Sequence, residues 1–208
     1  MRGDKTLEIR VRARALPLTP AAVRTLSRLA SFDWIVFASK NAARFFGKEL
    51  RRRRLAVPRA VRIAAVGAAT AAAVRAAGMR VHVVPVRSTA MDMVAALGDV
   101  RGRRVLFPRS AVAPATPVRA LRSRGAHVQV LPLYVSTLPP LAASTRRALL
   151  SGRCAALVFT SPSGVHGLMR QLRAPERTVV RRIIARCIGP TTATAARKAG
   201  FSKIVITA

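Results

Sequence analysis

One pattern of residues occurs twice in this chain, and an internal repeat constrains a fold more tightly than composition does. Ala65-Val66-Gly67-Ala68-Ala69-Thr70, running on to Gly78, matches Cys187-Ile188-Gly189-Pro190-Thr191-Thr192, running on to Gly200. A single ungapped shift of 122 residues carries Gly67 to Gly189 and Gly78 to Gly200. The same shift lays Ile35-Val36-Phe37-Ala38-Ser39 on Leu157-Val158-Phe159-Thr160-Ser161, and Leu16-Pro17 on Leu138-Pro139. Most of residues 9–86 is thereby related to 131–208. The chain holds two copies of one architectural unit.

The second copy shows what the pattern encodes. Ile183 to Ile188 reads as a short buried strand, and Gly189 is expected to permit a tight turn after it. Pro190 suits the first position of a helix, where a missing N–H costs nothing. Thr191 and Thr192 then stand beside the free amides of that helix start, and Gly200 is a fitting stop. A strand–turn–helix corner of this kind offers N–H groups and a partial positive charge to an anion. Most such corners merely connect elements. Two of them in a repeat point further.

The rest of the chain fills in around the corners. Leu7 to Ala15 sets Ile9, Val11 and Ala13 against Arg10, Arg12 and Arg14, as one half-buried strand does. Thr19-Pro20 opens a helix with Val23, Leu26 and Ala30 on one face. Strands are expected at Asp33–Ser39, Val61–Val66, Val81–Val84, Arg104–Phe107 and Val128–Leu133. Helices alternate with them: one from Lys40 with Phe45 and Phe46 inward, then Thr70–Ala77, Thr89–Leu97 and Pro117–Arg124. After Tyr134 come a helix at Ala142–Leu150, a strand at Cys154–Phe159, a helix from Ser161, the Gly189 corner and a strand at Lys203–Ile206. Such alternation predicts an α/β fold with parallel, doubly wound sheets. It divides the chain into a complete domain at 8–134 and a partial one at 135–208.

In open α/β sheets, ligands bind beyond the carboxyl ends of the strands. That rule selects Ser39, Lys40, Asn41, Thr70, Arg109, Ser110, Tyr134, Ser161, Ser163, Thr191 and Thr192. They are hydroxyls, an amide and cations, with no carboxylate among them, a set that suits holding an acidic ligand. The ordinary alternative for each is a helix cap.

Charge enters here. The net charge is +31, yet the 38 basic residues are spread along the chain, and only Arg51-Arg52-Arg53-Arg54 forms a block. Nucleic-acid binding would favour cations on one face together with a helix-turn-helix, zinc-finger or RNP-type signature, and the sequence has none of these. An anionic small molecule is the competing reading, with non-specific attraction of polyanions in either case. Cys154 and Cys187 lie in apolar runs without C-x-x-C spacing, as buried thiols of a reducing compartment do. No metal-ligand spacing, G-x-G-x-x-G, P-loop or G-x-S-x-G motif is present, so no cofactor is expected. The start Met1-Arg2-Gly3-Asp4-Lys5 lacks the apolar core of a secretory signal, and a cytoplasmic protein is expected.

Six segments together resemble the uroporphyrinogen-III synthase family. They are Asp33-Trp34-Ile35-Val36-Phe37-Ala38-Ser39-Lys40-Asn41, Ala65-Val66-Gly67-Ala68-Ala69-Thr70 and Arg104-Val105-Leu106-Phe107-Pro108-Arg109. The others are Val130-Leu131-Pro132-Leu133-Tyr134, Val158-Phe159-Thr160-Ser161-Pro162-Ser163-Gly164 and Ile188-Gly189-Pro190-Thr191-Thr192. The resemblance implies two flavodoxin-like domains joined by a two-stranded ladder, with the active site in a cleft between them. It implies a lyase that closes the linear tetrapyrrole hydroxymethylbilane, a polycarboxylate, to uroporphyrinogen III without a cofactor. By the same resemblance Tyr134 is the catalytic acid. Thr70, Thr191 and Thr192, with Ser39, Ser161 and Ser163, carry over as carboxylate-binding positions, and the strand-end rule adds Lys40, Asn41 and Arg109 to the substrate-binding set. The family pattern also has an opening strand–helix–strand unit and a closing helix that this sequence lacks. The partial domain is therefore expected to show three of five strands, and an inactive or truncated remnant, or a basic nucleic-acid-binding protein, is the alternative reading.

Overall fold

The computed structural model describes residues 5–207, and two compact units divide them. One unit is Arg14–Val135; the other joins Met1–Ala13 to Ser136–Ala208.

In the Arg14–Val135 unit the elements follow the repeat closely. After β1 (Lys5–Ile9) and β2 (Arg12–Ala15), α1 (Pro20–Ser27) starts at Thr19, whose hydroxyl accepts the Ala22 N–H. A 3-10 turn at Leu29–Ser31 leads to β3 (Trp34–Phe37) and α2 (Lys40–Arg52). β4 (Arg62–Ala65), α3 (Ala68–Ala76), α4 (Ala90–Ala96), β5 (Arg104–Ser110), α5 (Thr116–Ser123) and β6 (His127–Thr137) complete it. The sheet order is β2-β6-β5-β3-β4, and β6, β5, β3 and β4 pair in parallel. β3 is buried on both faces, as a continuous apolar run in a parallel sheet must be. Trp34, Val36, Ala64, Val105 and Phe107 pack with Met93, Val94, Val118 and Leu121 of α4 and α5. The alternate residue Phe37 meets Phe46 of α2 edge-on, with ring centroids 5.4 Å apart.

The other unit carries α6 (Ala143–Leu150), β7 (Cys154–Phe159), α7 (Pro162–Gln171), α8 (Ala174–Val180), β8 (Ile184–Cys187), α9 (Pro190–Lys198) and β9 (Ile204–Ile206). Its sheet is β1-β7-β8-β9, parallel throughout. Ile9, Leu157, Phe159, Ala185 and Cys187 form its core with Val165 and Leu168 of α7 and Ala193 and Ala196 of α9. Both cysteines are buried and free. The 122-residue shift maps β4 onto β8 and α3 onto α9 end to end. Gly78 and Gly200 both close their helices with positive φ, 81° and 88°.

Several expectations change. The alternating run Leu7–Ala15 is two strands, because the backbone leaves the ladder at Arg10–Val11 and the halves join different sheets. β1 pairs with β7, so the unit expected at 8–134 begins later, and the expected 135–208 unit gains a fourth strand. Val81–Val84 is no strand but a single bridge from Val83 to Ala64. The cause is local: the His82 ring nitrogen Nδ1 accepts the Ile63 N–H at 3.0 Å, taking a donor that a ladder would need. Burial drives the His82 pKa down, and the charges of Arg80 and Arg62 add to that, which favours the neutral ring this bond requires. On α1 the buried face is Ala22, Thr25 and Leu26, with Val23 half-buried; Ala30 lies beyond the helix, exposed on the 3-10 turn, and α8 adds a helix that the repeat does not announce. Among the described residues no helix is long and apolar enough to cross a membrane.

Candidate active site

The first corner of the Arg14–Val135 unit turns β3 into α2 at Ser39. Its Oγ accepts the Ala42 N–H at 3.1 Å, an ordinary cap. The same oxygen lies 2.8 Å from the phenol oxygen of Tyr134, and that contact exceeds what a cap needs. Tyr134 arrives on β6, opposite Ser110 of β5, where the register shifts between Arg109 and Ser110. Its ring is 4% exposed and stacks on Phe45, with centroids 4.9 Å apart and planes 13° from parallel. Phe45 is half-buried; it serves as the platform for the tyrosine, whereas Phe46 alone fills the core.

Burial raises the Tyr134 pKa above its ordinary 10.0, while the Ser39 hydrogen bond and the Arg109 charge pull it back. The phenol therefore holds its proton at neutral pH. Arg109 is half-buried; burial lowers its pKa and the Tyr134 charge opposes this. Its Nε donates to the Ser110 carbonyl at 3.2 Å. The Ser110 hydroxyl is buried and has no hydrogen-bond partner among the described residues.

The second corner turns β4 into α3 at Gly67. Thr70 is the third residue of α3, and its side chain is buried. Gly67 has φ 178°, an extended value open to any residue, so the turn does not demand glycine. Space does: a Cβ there would stand 2.3 Å from the Ser88 Oγ and 2.8 Å from the Ser88 Cβ. Ser88, missed in the sequence because it follows the unformed strand, thus covers this corner. Lys40 and Asn41 open α2, the first exposed and the second half-buried. This unit brings Ser39, Tyr134 and Arg109 into one interacting group and places Lys40, Asn41 and Thr70 at the helix starts that follow β3 and β4.

In the other unit Ser161 and Thr192 stand where the shift puts Ser39 and Thr70. Ser161 precedes α7 without making a capping bond, and Ser163 is half-buried. Thr192 is buried and Thr191 exposed, so the pair does not share one environment. Gly189 has φ −178°, and a Cβ there would meet nothing within 4 Å, so neither turn nor space requires that glycine.

The side-chain carboxylates of the described residues are otherwise engaged. Glu8, Asp33, Glu49, Asp92 and Glu176 each pair with an arginine, and Asp99 accepts the Arg101 N–H. Among the described residues no three of His, Cys, Asp and Glu cluster as a metal site would need. What remains at the corners is a set of hydroxyls, amides and cations fit to grip acidic groups, with one buried phenol able to give a proton.

Comparison with known proteins agrees with this chemistry. Residues 11–208 match the family described as uroporphyrinogen-III synthase HemD. A putative uroporphyrinogen-III synthase of Methanothermobacter thermautotrophicus is 30% identical over 173 residues, covering 79% of this chain and 68% of that protein. The uroporphyrinogen-III synthase of Synechococcus elongatus is 34% identical over 139 residues, covering 64% of this chain and 50% of its own. The fold is that of a mutant uroporphyrinogen III synthase from the extremely thermophilic bacterium Thermus thermophilus, with a TM-score of 0.75, 23% identity, and coverage of 95% of this chain and 81% of that one.

Proposed function

The chain belongs to the uroporphyrinogen-III synthase family, and from that membership we propose that it closes hydroxymethylbilane to uroporphyrinogen III, inverting the last pyrrole ring and releasing water. It is an enzyme of small tetrapyrroles; the reaction makes it a lyase, and the proposed setting is the cytoplasm. The observation that carries the reading is the buried Tyr134 phenol held 2.8 Å from Ser39.

The substrate ends in a hydroxymethyl group on a pyrrole. When the C–O bond breaks, the phenol of Tyr134 gives its proton to the departing hydroxide to form water, and the pyrrole N–H proton passes to solvent, from which the phenolate regains its own. The product of that step is an electrophilic azafulvene. Left to itself this species closes to the uninverted isomer, so the protein must decide which carbon of the last ring attacks. Attack by the substituted carbon gives a spiro intermediate, which reopens and closes inverted. That selection is a matter of holding the chain folded through its carboxylates. Ser39, Lys40, Asn41, Thr70 and Arg109 in one unit, and Ser161, Ser163, Thr191 and Thr192 in the other, are the positions proposed to hold them. The corner amides supply donors that need no reorganisation.

The test is to supply fresh hydroxymethylbilane and measure the ratio of isomer III to isomer I after oxidation to porphyrins. Isomer III well above the protein-free control is the expected result; isomer I alone from folded protein rejects the proposal. Tyr134→Phe should lower the rate by roughly 10²-fold or more, the scale of general acid catalysis, with little loss of stability. An unchanged rate removes Tyr134 from the mechanism.

A further inference from the structure

The Ser136–Ala208 unit has a second cationic feature at the far ends of its helices. A cavity of about 370 Å³ is lined by His166, Met169 and Arg170 of α7, Arg177 of α8, Arg181 just after it, and Lys198 closing α9. α7 and α9 start at the proposed carboxylate-binding corners and run away from them, so these residues belong to the opposite end of this unit. Four permanent cations and a histidine thus share one cavity, and no carboxylate lines it.

Arg177 is half-buried, and Arg170, Arg181 and Lys198 are exposed around it. Arg177 and Arg181 are four apart, a spacing at which like charges repel on a helix. Among the described residues none of Arg170, Arg177, Arg181 and Lys198 joins an ion pair; the one carboxylate of α8, Glu176, turns to Arg146 of α6 instead. Arg170 Nε donates to the His166 carbonyl one turn back in its own helix at 3.4 Å, and the other two arginines reach helix ends. Arg177 Nε donates to the carbonyls of Met169 and Leu172 at 2.9 Å each, at the end of α7. Arg181 Nε donates to the carbonyl of Ala199 at 2.8 Å, at the end of α9. Each of these two guanidiniums is held by its inner nitrogen at a helix C-terminus, where the dipole favours a cation. The outer nitrogens are left for a ligand, as a planar fork that fits phosphate or carboxylate oxygens.

We propose that this cavity binds a compact, multiply charged phosphate such as a diphosphate, at a site separate from the tetrapyrrole-binding positions. A diphosphate brings several charges within the span of one small cavity and matches the count of cations, whereas a single carboxylate would leave most of them unbalanced.

The test is calorimetric titration of the full chain with inorganic pyrophosphate near physiological salt, beside the double variant Arg170→Gln/Lys198→Gln, which spares the two guanidiniums that brace the helices. A matched control, Arg51→Gln/Arg54→Gln, removes the same charge elsewhere. Saturable one-to-one binding, weakened at least tenfold by the cavity variant and less than twofold by the control, is expected. Equal weakening in both variants, or no saturable binding, overturns the proposal. Citrate run in parallel distinguishes the ligand class: citrate binding as tightly as pyrophosphate would reject phosphate in favour of a polycarboxylate.

Discussion

At the scale of single residues, Tyr134 ties stability to pH in a definite direction. Its folded pKa is raised by burial above 10.0, whereas the unfolded chain titrates at the ordinary value. Below the unfolded pKa both states hold the proton, so the contribution is fully present. Above it the unfolded chain loses its proton first, and stability falls until the folded pKa is passed. Urea unfolding above about pH 10 should therefore show a decline that Tyr134→Phe reduces. A decline of equal steepness in the variant would assign it to other groups. The residue roles were unevenly legible in the sequence. Ser39 and Thr70 follow from where strands end, since the repeat marks those ends, whereas Tyr134 follows from a strand expected to stop at Leu133 and in fact lies inside β6, which runs on to Thr137. The stack on Phe45 and the Ser88 cover over Gly67 depend on helix rotation and on a segment whose strand never forms. Thr191 and Thr192 are adjacent and chemically alike, and only the rotation of α9 separates the exposed one from the buried one.

At the scale of elements, close approach decides more than propensity. Gly47 lies inside α2, where a Cβ would stand 2.5 Å from the Cβ of Ala77 just after α3. Alanine is the better helix former by about 1 kcal/mol, so helix propensity alone predicts that Gly47→Ala stabilises. The overlap is with a side chain rooted in its own backbone and cannot be relieved by a rotamer change. We expect a net loss of about 1–3 kcal/mol by chemical denaturation, the range for overpacking. A more stable variant would mean that α2 and α3 separate easily. Elements were the most legible level. The 122-residue shift locates β8 and α9 from β4 and α3, while the split of Leu7–Ala15 is hidden because both halves keep the same alternation across the break. α8 is short and has no counterpart in the first copy, so neither periodicity nor the repeat signals it.

At the scale of the whole molecule, one unit is continuous in sequence and the other is not. Arg14–Val135 contains every strand of its sheet except the first two residues of β2 and the end of β6. The fragment 14–135 should therefore fold cooperatively alone. The fragment 136–208 lacks β1, which supplies Ile9 to the core and pairs along β7. It should be largely unfolded alone by circular dichroism and recover structure when residues 1–13 are fused ahead of it. Independent folding of 136–208 would show β1 to be dispensable. The net charge of +31 also belongs to this scale: any polyanion is attracted at low salt, and affinity for DNA should drop steeply as salt rises.

The separation of β1 from β7 also sets a timetable. A ribosome that has finished Ile9 must still make all the residues up to Cys154 before the first strand can find its neighbour, on the order of ten seconds or more at ordinary rates of synthesis. The continuous unit can be complete well within that interval. Until then β1, with Leu7 and Ile9 uncovered, stays exposed to chaperones and to other nascent chains. β1 is thus made long before the strand that settles it.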